Sequence, residues 1–125
     1  MSVLGYSIAL RAAAAIGARL IVAHGTADGT AKQAAAATDK LIGVTDLGAD
    51  AANQMLDIQR NGPAKVQYGA AVERGDYLTS DAAGKAVPVA KPGADETVYY
   101  IGQASVSGVA DDICVVDLAP GVLKG

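Results

Sequence analysis

The fold is decided by the stretch Tyr68-Gly-Ala-Ala-Val-Glu-Arg-Gly-Asp-Tyr-Leu-Thr-Ser-Asp-Ala-Ala-Gly-Lys-Ala-Val-Pro-Val-Ala90. Its short apolar runs are separated by Gly75-Asp76 and by Ala82-Ala83-Gly84, which are residues typical of turns. Turn signals recur along the rest of the chain at intervals of about 8–12 residues, a spacing typical of β-sandwiches and barrels. The sequence therefore predicts an all-β fold, a small β-barrel or sandwich of short strands.

Alternating polar and apolar residues mark the individual strands. In Gln54–Arg60 the alternation places Leu56 and Ile58 on one face, as expected for a half-buried strand. Asn61-Gly62 follows directly and predicts a hairpin, because both residues accept a positive φ. Pro63 has no N–H and should lie at a strand start or on a sheet edge. Further strands are predicted at Arg19–His24, Lys32–Ala36, Leu41–Thr45, Lys65–Tyr68, Ala86–Ala90, Thr97–Ile101 and Ile113–Leu118.

Two features modify this all-β prediction. The alanine-rich residues Ala12–Ile16 have high helix propensity, and we expect one short helical turn near the N-terminus. A weak internal repeat is also present, in which Gly29-Thr-Ala-Lys, Ile42-Gly43 and Met55-Leu-Asp-Ile58 recur about 55 to 60 residues later. The recurring pieces are Gly84-Lys-Ala-Val, Ile101-Gly102 and Val115-Val-Asp-Leu118. Two such β units could form the two halves of one barrel.

Length and composition predict a single domain, residues 1–125, with a thin core. The chain has 27 alanines and 15 glycines but neither Phe nor Trp, so its apolar residues carry little area to bury. Such a chain would gain stability from a copy of itself or from a larger surface. Alternatively, well-packed Val, Ile and Ala suffice alone.

The residues that could carry chemistry are few and scattered. Cys114 lies in an apolar run, and His24 is the only histidine, so no catalytic, metal or cofactor site is predicted. The net charge is −3 and the ten Lys and Arg occur singly, which argues against nucleic-acid binding. No apolar run is long enough to span a membrane, and the apolar N-terminus lacks the basic start of a signal peptide.

Several stretches occur in an order that resembles bacteriophage capsid cement proteins, also called head decoration proteins. The most specific stretch is Gly75-Asp-Tyr-Leu-Thr-Ser-Asp81. The others are Asp28-Gly29, Ala34-Ala-Ala-Ala-Thr-Asp39, Leu41-Ile-Gly-Val44, Val66-Gln-Tyr-Gly69, Gly84-Lys-Ala86, Ile101-Gly102 and Val116-Asp-Leu-Ala-Pro-Gly-Val122. The resemblance covers residues 18–125.

The resemblance implies a structural virion protein without enzymatic activity. It would bind the outer capsid surface as a homodimer or homotrimer and cement neighbouring major capsid protein subunits against internal pressure. Its partners would be the major capsid protein and copies of itself, and it would assemble in the host cytoplasm. A tail-tube or head-completion protein is the alternative.

Two regions are predicted to make these contacts. Residues 1–17 could be an arm that pairs with a capsid strand, through the edge formed by Ser7, Ile8 and Leu10. The loop 73–84, which carries Arg74, Asp76 and Tyr77, could dock or join the copies. The alternative is that residues 1–17 contain the first barrel strand and that the loop merely closes a hairpin.

Overall fold

Residues 7–90 and 93–124 are described by the computed structural model, and they form ten β-strands in two sheets. These residues contain no helix, and the prediction of an all-β fold with a barrel is confirmed. The strands are β1 (Ser7–Ala12), β2 (Ile21–His24), β3 (Thr30–Gln33), β4 (Leu41–Thr45), β5 (Met55–Gln59), β6 (Gly62–Gln67), β7 (Tyr77–Ser80), β8 (Ala86–Pro88), β9 (Thr97–Ala104) and β10 (Ile113–Lys124).

The first sheet is a closed barrel and the second is open. The barrel has the order β1-β3-β2-β4-β5, and its interior holds Val22, Ile42, Leu56 and Ile58, which are all fully buried. The second sheet has the order β6-β10-β9-β7-β8. Pro63 lies in the edge strand β6, as predicted, where its missing N–H leaves the ladder with β10 intact.

The two sheets are copies of one arrangement. Read in the same direction, the barrel is β3-β2-β4-β5-β1 and the open sheet is β8-β7-β9-β10-β6, so that each strand has an equivalent in the other half. The isolated bridge between Ile16 and Ala49 has its equivalent between Val72 and Gly108. The internal repeat is therefore confirmed. The idea that its units form two halves of one barrel is wrong, because each unit builds a sheet of its own.

Backbone conformation repeats with the topology. Arg19 (φ 57°) in the first repeat is equivalent to Gly75 (φ 91°) in the second, and Asn53 (φ 69°) to Asp111 (φ 72°). These positions are turns that need the left-handed conformation, for which Gly, Asn and Asp are the best suited residues. The equivalence also corrects the register at the last anchor, since Ile58 corresponds to Val116 rather than to Leu118.

One backbone hydrogen bond within the first repeat has no counterpart within the second. Its equivalent groups bind the first repeat instead, and these bonds join the two repeats. In the barrel, the N–H of Arg11 donates directly to the carbonyl of Gly29 at 2.9 Å. In the second repeat the equivalent groups, the Gln67 N–H and the Gly84 carbonyl, do not meet. Instead the Gln67 N–H donates to the carbonyl of Arg19 at 2.9 Å, and the N–H of Ile21 donates to that of Gly84 at 2.8 Å. The first repeat thus fills the gap in the second sheet.

Burial of apolar side chains completes this junction. The outer face of the barrel packs against one face of the second sheet and forms with it one continuous core. The barrel contributes Ile21, Ala23, Ala34, Leu41 and Val44, each at most 8% exposed. The second sheet contributes Val66, Tyr68, Val72, Leu78, Ala86, Ile101, Ala104, Val116 and Leu118.

The predicted helical turn at Ala12–Ile16 is wrong. The N–H of Ala12 donates to the Gln54 carbonyl at 2.9 Å, and that of Ile16 donates to Ala49 at 2.9 Å. These long-range bonds, together with burial of the Ile16 side chain, override the helix propensity of a few alanines, which is too small to nucleate a helix alone.

The hairpin predicted at Asn61-Gly62 is wrong as well. Strand β5 pairs with β1 and β4, whereas β6 pairs with β10 in the other sheet. Gly62 does adopt a positive φ of 78°, as the sequence indicated, but the sharp turn carries the chain from one repeat to the next. The strand predicted at Lys32–Ala36 overlaps β3, which begins and ends earlier.

Candidate interaction surfaces

Ser7, Ile8 and Leu10 lie in β1, the first strand of the barrel. They pair with Gln59, Ile58 and Leu56 of β5. The side chains of Ile8 and Leu10 are half-buried and pack against the barrel core, whereas Ser7 is exposed. Residues 1–6 of the predicted arm lie outside the described residues.

The first four residues of β1 nevertheless leave one edge of the strand without a neighbouring strand in the described part of the chain. The parallel pairing with β3 involves only Arg11 and Ala12. The N–H of Arg11 points toward β3, so the N–H of Ala9, two residues earlier, points to the same side beyond the end of that strand. This open edge could accept another extended segment.

A groove of about 550 Å³ lies on the other side of β1, at the junction of the two sheets, where β4 and β5 face β6. Its floor is partly apolar and its rim carries both signs of charge, including an ion pair between Arg19 and Asp46 at 3.8 Å. It is lined by Ser7, Arg19, Val44, Thr45, Asp46, Asp57, Gln59, Pro63, Ala64, Lys65 and Val115.

Arg74, Asp76 and Tyr77 lie together at the start of β7, in the second sheet. The carboxylate of Asp76 accepts the Glu73 N–H at 3.0 Å and so stabilises a turn. The backbone N–H of Arg74 donates to the hydroxyl of Ser107 at 3.1 Å. Of the three, Tyr77 is the one large hydrophobic residue, and it is 49% exposed.

Tyr77 belongs to an aromatic surface with Tyr100, a residue that the sequence analysis did not select. The ring centroids lie 5.0 Å apart and the planes are tilted by 60°. A groove of about 480 Å³ adjoins Tyr77. It is lined by Gly75, Asp76, Tyr77, Pro88, Val89, Ala90, Leu123 and Lys124.

Three ionisable groups outside these surfaces have raised pKa values, and each is explained by burial or by a hydrogen bond within the fold. The hydroxyl of Tyr68 donates to the carbonyl of Val106 at 2.8 Å, and burial raises the pKa of Tyr68 to about 12. Burial also raises the pKa of the Cys114 thiol, which disfavours the reactive thiolate. A hydrogen bond at 2.8 Å to Asp111 raises the pKa of Lys85.

Within residues 7–90 and 93–124, no three His, Cys, Asp or Glu side chains lie close enough to hold a metal ion. In the same ranges, no helix has the length and apolar character needed to cross a bilayer.

Comparison with known proteins gives a match at the level of structure. No protein-family profile matches the chain, and no curated protein matches it. Among solved structures, the fold is shared with the N-terminal base of the head fiber protein gp8.5 of bacteriophage phi29. The TM-score is 0.67 at 19% identity, and the match covers 91% of this chain and 93% of the other. Both repeats therefore fall within the shared fold.

Proposed function

We propose that this chain is a structural protein of a bacteriophage head, which binds the outer capsid surface and cements neighbouring major capsid protein subunits. The observation that carries the proposal is the shared fold with a head fiber base over nine-tenths of both chains. The sequence resemblance to capsid cement proteins, which rests on different evidence, points to the same class of protein. The partners would be the major capsid protein and further copies of this chain.

The physical properties of the chain are compatible with a cementing role. Each copy needs only a modest interface, because many symmetric copies act together on one shell and each bridges two or more subunits. The negative net charge of −3 keeps the free protein soluble. We infer that the protein performs no reaction, and that neither nucleic acid nor a membrane is its partner.

The open edge of β1 is the proposed capsid contact. Residues Ser7–Leu10 present backbone groups on the side away from β5, beyond the point where β3 ends. An extended capsid segment could add to this edge, with backbone hydrogen bonds providing affinity.

The test is to mix the purified protein with expanded heads of the corresponding phage that lack it. Co-sedimentation should show saturable binding at a fixed number of copies per head, and the temperature at which heads release DNA should rise. Heads that already carry the protein serve as the control and should take up no more. Failure to bind any form of the head would rule out the proposed function, and spontaneous growth into tubes would favour a tail-tube protein.

A further inference from the structure

The internal repeat reveals that one face of this unit is a docking face. In the first repeat, the outer face built by Ile21, Ala34, Leu41 and Val44 is buried against the second repeat. The backbone takes part as well, since the N–H of Ile21 donates to the carbonyl of Gly84. A copy of the unit thus provides, within this chain, an example of what this face binds.

The equivalent face of the second repeat is covered only in part. Its members Tyr77 and Gln103 are exposed and Val89 and Tyr100 are half-buried, whereas Thr79, at the position of Ala23, is buried. The strand registers place Tyr77 at the position of Ile21, Tyr100 at that of Leu41 and Gln103 at that of Val44. Tyr77 is 49% exposed, whereas Ile21 is 0% exposed. Val89, whose N–H donates to the Tyr77 carbonyl at 2.9 Å, is equivalent to Ala34, whose N–H donates to Ile21 at 3.0 Å. We call Tyr77, Val89, Tyr100 and Gln103 the second docking face.

The internal contact cannot simply continue from one molecule to the next. The first docking face fits the second sheet because that sheet has a gap between Gln67 and Gly84, which Arg19–Ile21 occupies. In the first repeat the equivalent gap is closed by the bond between Arg11 and Gly29. A head-to-tail chain of molecules would therefore lack an open acceptor. The second docking face must therefore meet a surface other than a sheet with such a gap.

We propose that the second docking face binds the same face of further copies of this chain, which gives a closed homo-oligomer around a symmetry axis. Tyrosine is suited to such contacts because it combines a large apolar area with a polar hydroxyl, and the two rings already pack together. The groove beside Tyr77 is lined by both Asp76 and Lys124, so that rotated copies can pair opposite charges. This inference rests on the proposed function, in which copies of the chain act together on the capsid, and it specifies the surface that joins those copies.

The experiment measures the mass of the free protein by light scattering, without capsids, and compares two substitutions. Tyr77→Lys places like charges together at the axis and should reduce the mass from a dimer or trimer to that of one chain. Leu47→Lys is the matched control, since Leu47 is 85% exposed and lies outside the second docking face, and it should leave the mass unchanged. Circular dichroism and thermal unfolding establish that both variants fold.

A second measurement locates the contact independently of any variant that fails to fold. Hydrogen exchange on the unmodified protein should show protection of residues 75–78 that increases with protein concentration. A monomer at the highest soluble concentration, or an oligomer that dissociates with Leu47→Lys but not with Tyr77→Lys, would overturn the inference. Oligomers that form through this face but bind no head would refute the proposed function alone.

Discussion

Gly43 and Gly102 occupy the same position in the two repeats, and each lies against a backbone carbonyl of the neighbouring strand. Gly43 lies against Gln59 and Gly102 against Asp117, so closely that a Cβ on either glycine would collide with the carbonyl oxygen. The pair follows from the repeated topology, in which β4 pairs with β5 and β9 with β10. Identical crowding in both halves indicates that this close approach is required by the unit itself.

We predict that Gly102→Ala destabilises the protein by about 3 kcal/mol, at the upper end for overpacking, because backbone must move to admit the methyl group. Gly29→Ala is the matched control. Gly29 has a φ of 75° with nothing within 4 Å of an added Cβ, so only backbone strain of about 1 kcal/mol is expected. Urea denaturation measures both values. Equal losses would show that the close approach can relax.

Thr45 and Thr79 are both buried, but only one has its hydroxyl satisfied. The hydroxyl of Thr45 donates to the Gly17 carbonyl at 2.8 Å and accepts from the Leu20 N–H at 3.2 Å. The hydroxyl of Thr79 has no hydrogen-bond partner in the described part of the chain. We expect Thr45→Val to cost about 2 kcal/mol and Thr79→Val to stabilise by about 1 kcal/mol. Thermal unfolding of the two variants checks the opposite signs; a loss in both would mean that Thr79 does have a partner.

The buried Tyr68 should make the protein sensitive to high pH. Its pKa is about 12 in the folded protein and about 10 when unfolded, so the unfolded state releases its proton first. The stabilising effect is complete below about pH 10 and is lost as the pH rises to about 12. Tyr68→Phe removes this dependence along with the hydrogen bond to Val106. Denaturation between these pH values should show a flatter profile for the variant, and parallel profiles would contradict the assignment.

The open edge of β1 can be tested with one backbone group. Ala9→Pro removes an N–H that points away from β5, so we expect the free energy of unfolding to change by less than about 1 kcal/mol, as for proline on an edge strand. Binding to heads should fall at least tenfold if a capsid segment pairs with this edge. Ala9→Thr keeps the N–H and should bind normally. Equal head binding by the two variants, measured by co-sedimentation, would exclude strand addition at β1.

The sequence alone predicted only part of the second docking face. The Gly-Asp turn before Tyr77 marked a segment that lies in the proposed docking face, because turn chemistry is local. Tyr100 and Gln103 were missed, since they come beside Tyr77 only through the pairing of β7 with β9. The weak repeat could have found them: once Ile101-Gly102 is aligned with Ile42-Gly43, Tyr100 corresponds to Leu41.

Most strand positions and the presence of a repeated unit were determined by the sequence alone, because alternation and glycine placement act over a few residues. Only the tertiary structure decided that Ala12–Ile16 is not helical and that Asn61-Gly62 connects two sheets. The tertiary structure also decided that the sheet of the first repeat closes into a barrel, whereas the sheet of the second repeat stays open and binds Arg19–Ile21 in its gap. These outcomes depend on hydrogen bonds and burial between residues far apart in the chain, and local patterns carry no record of such partners.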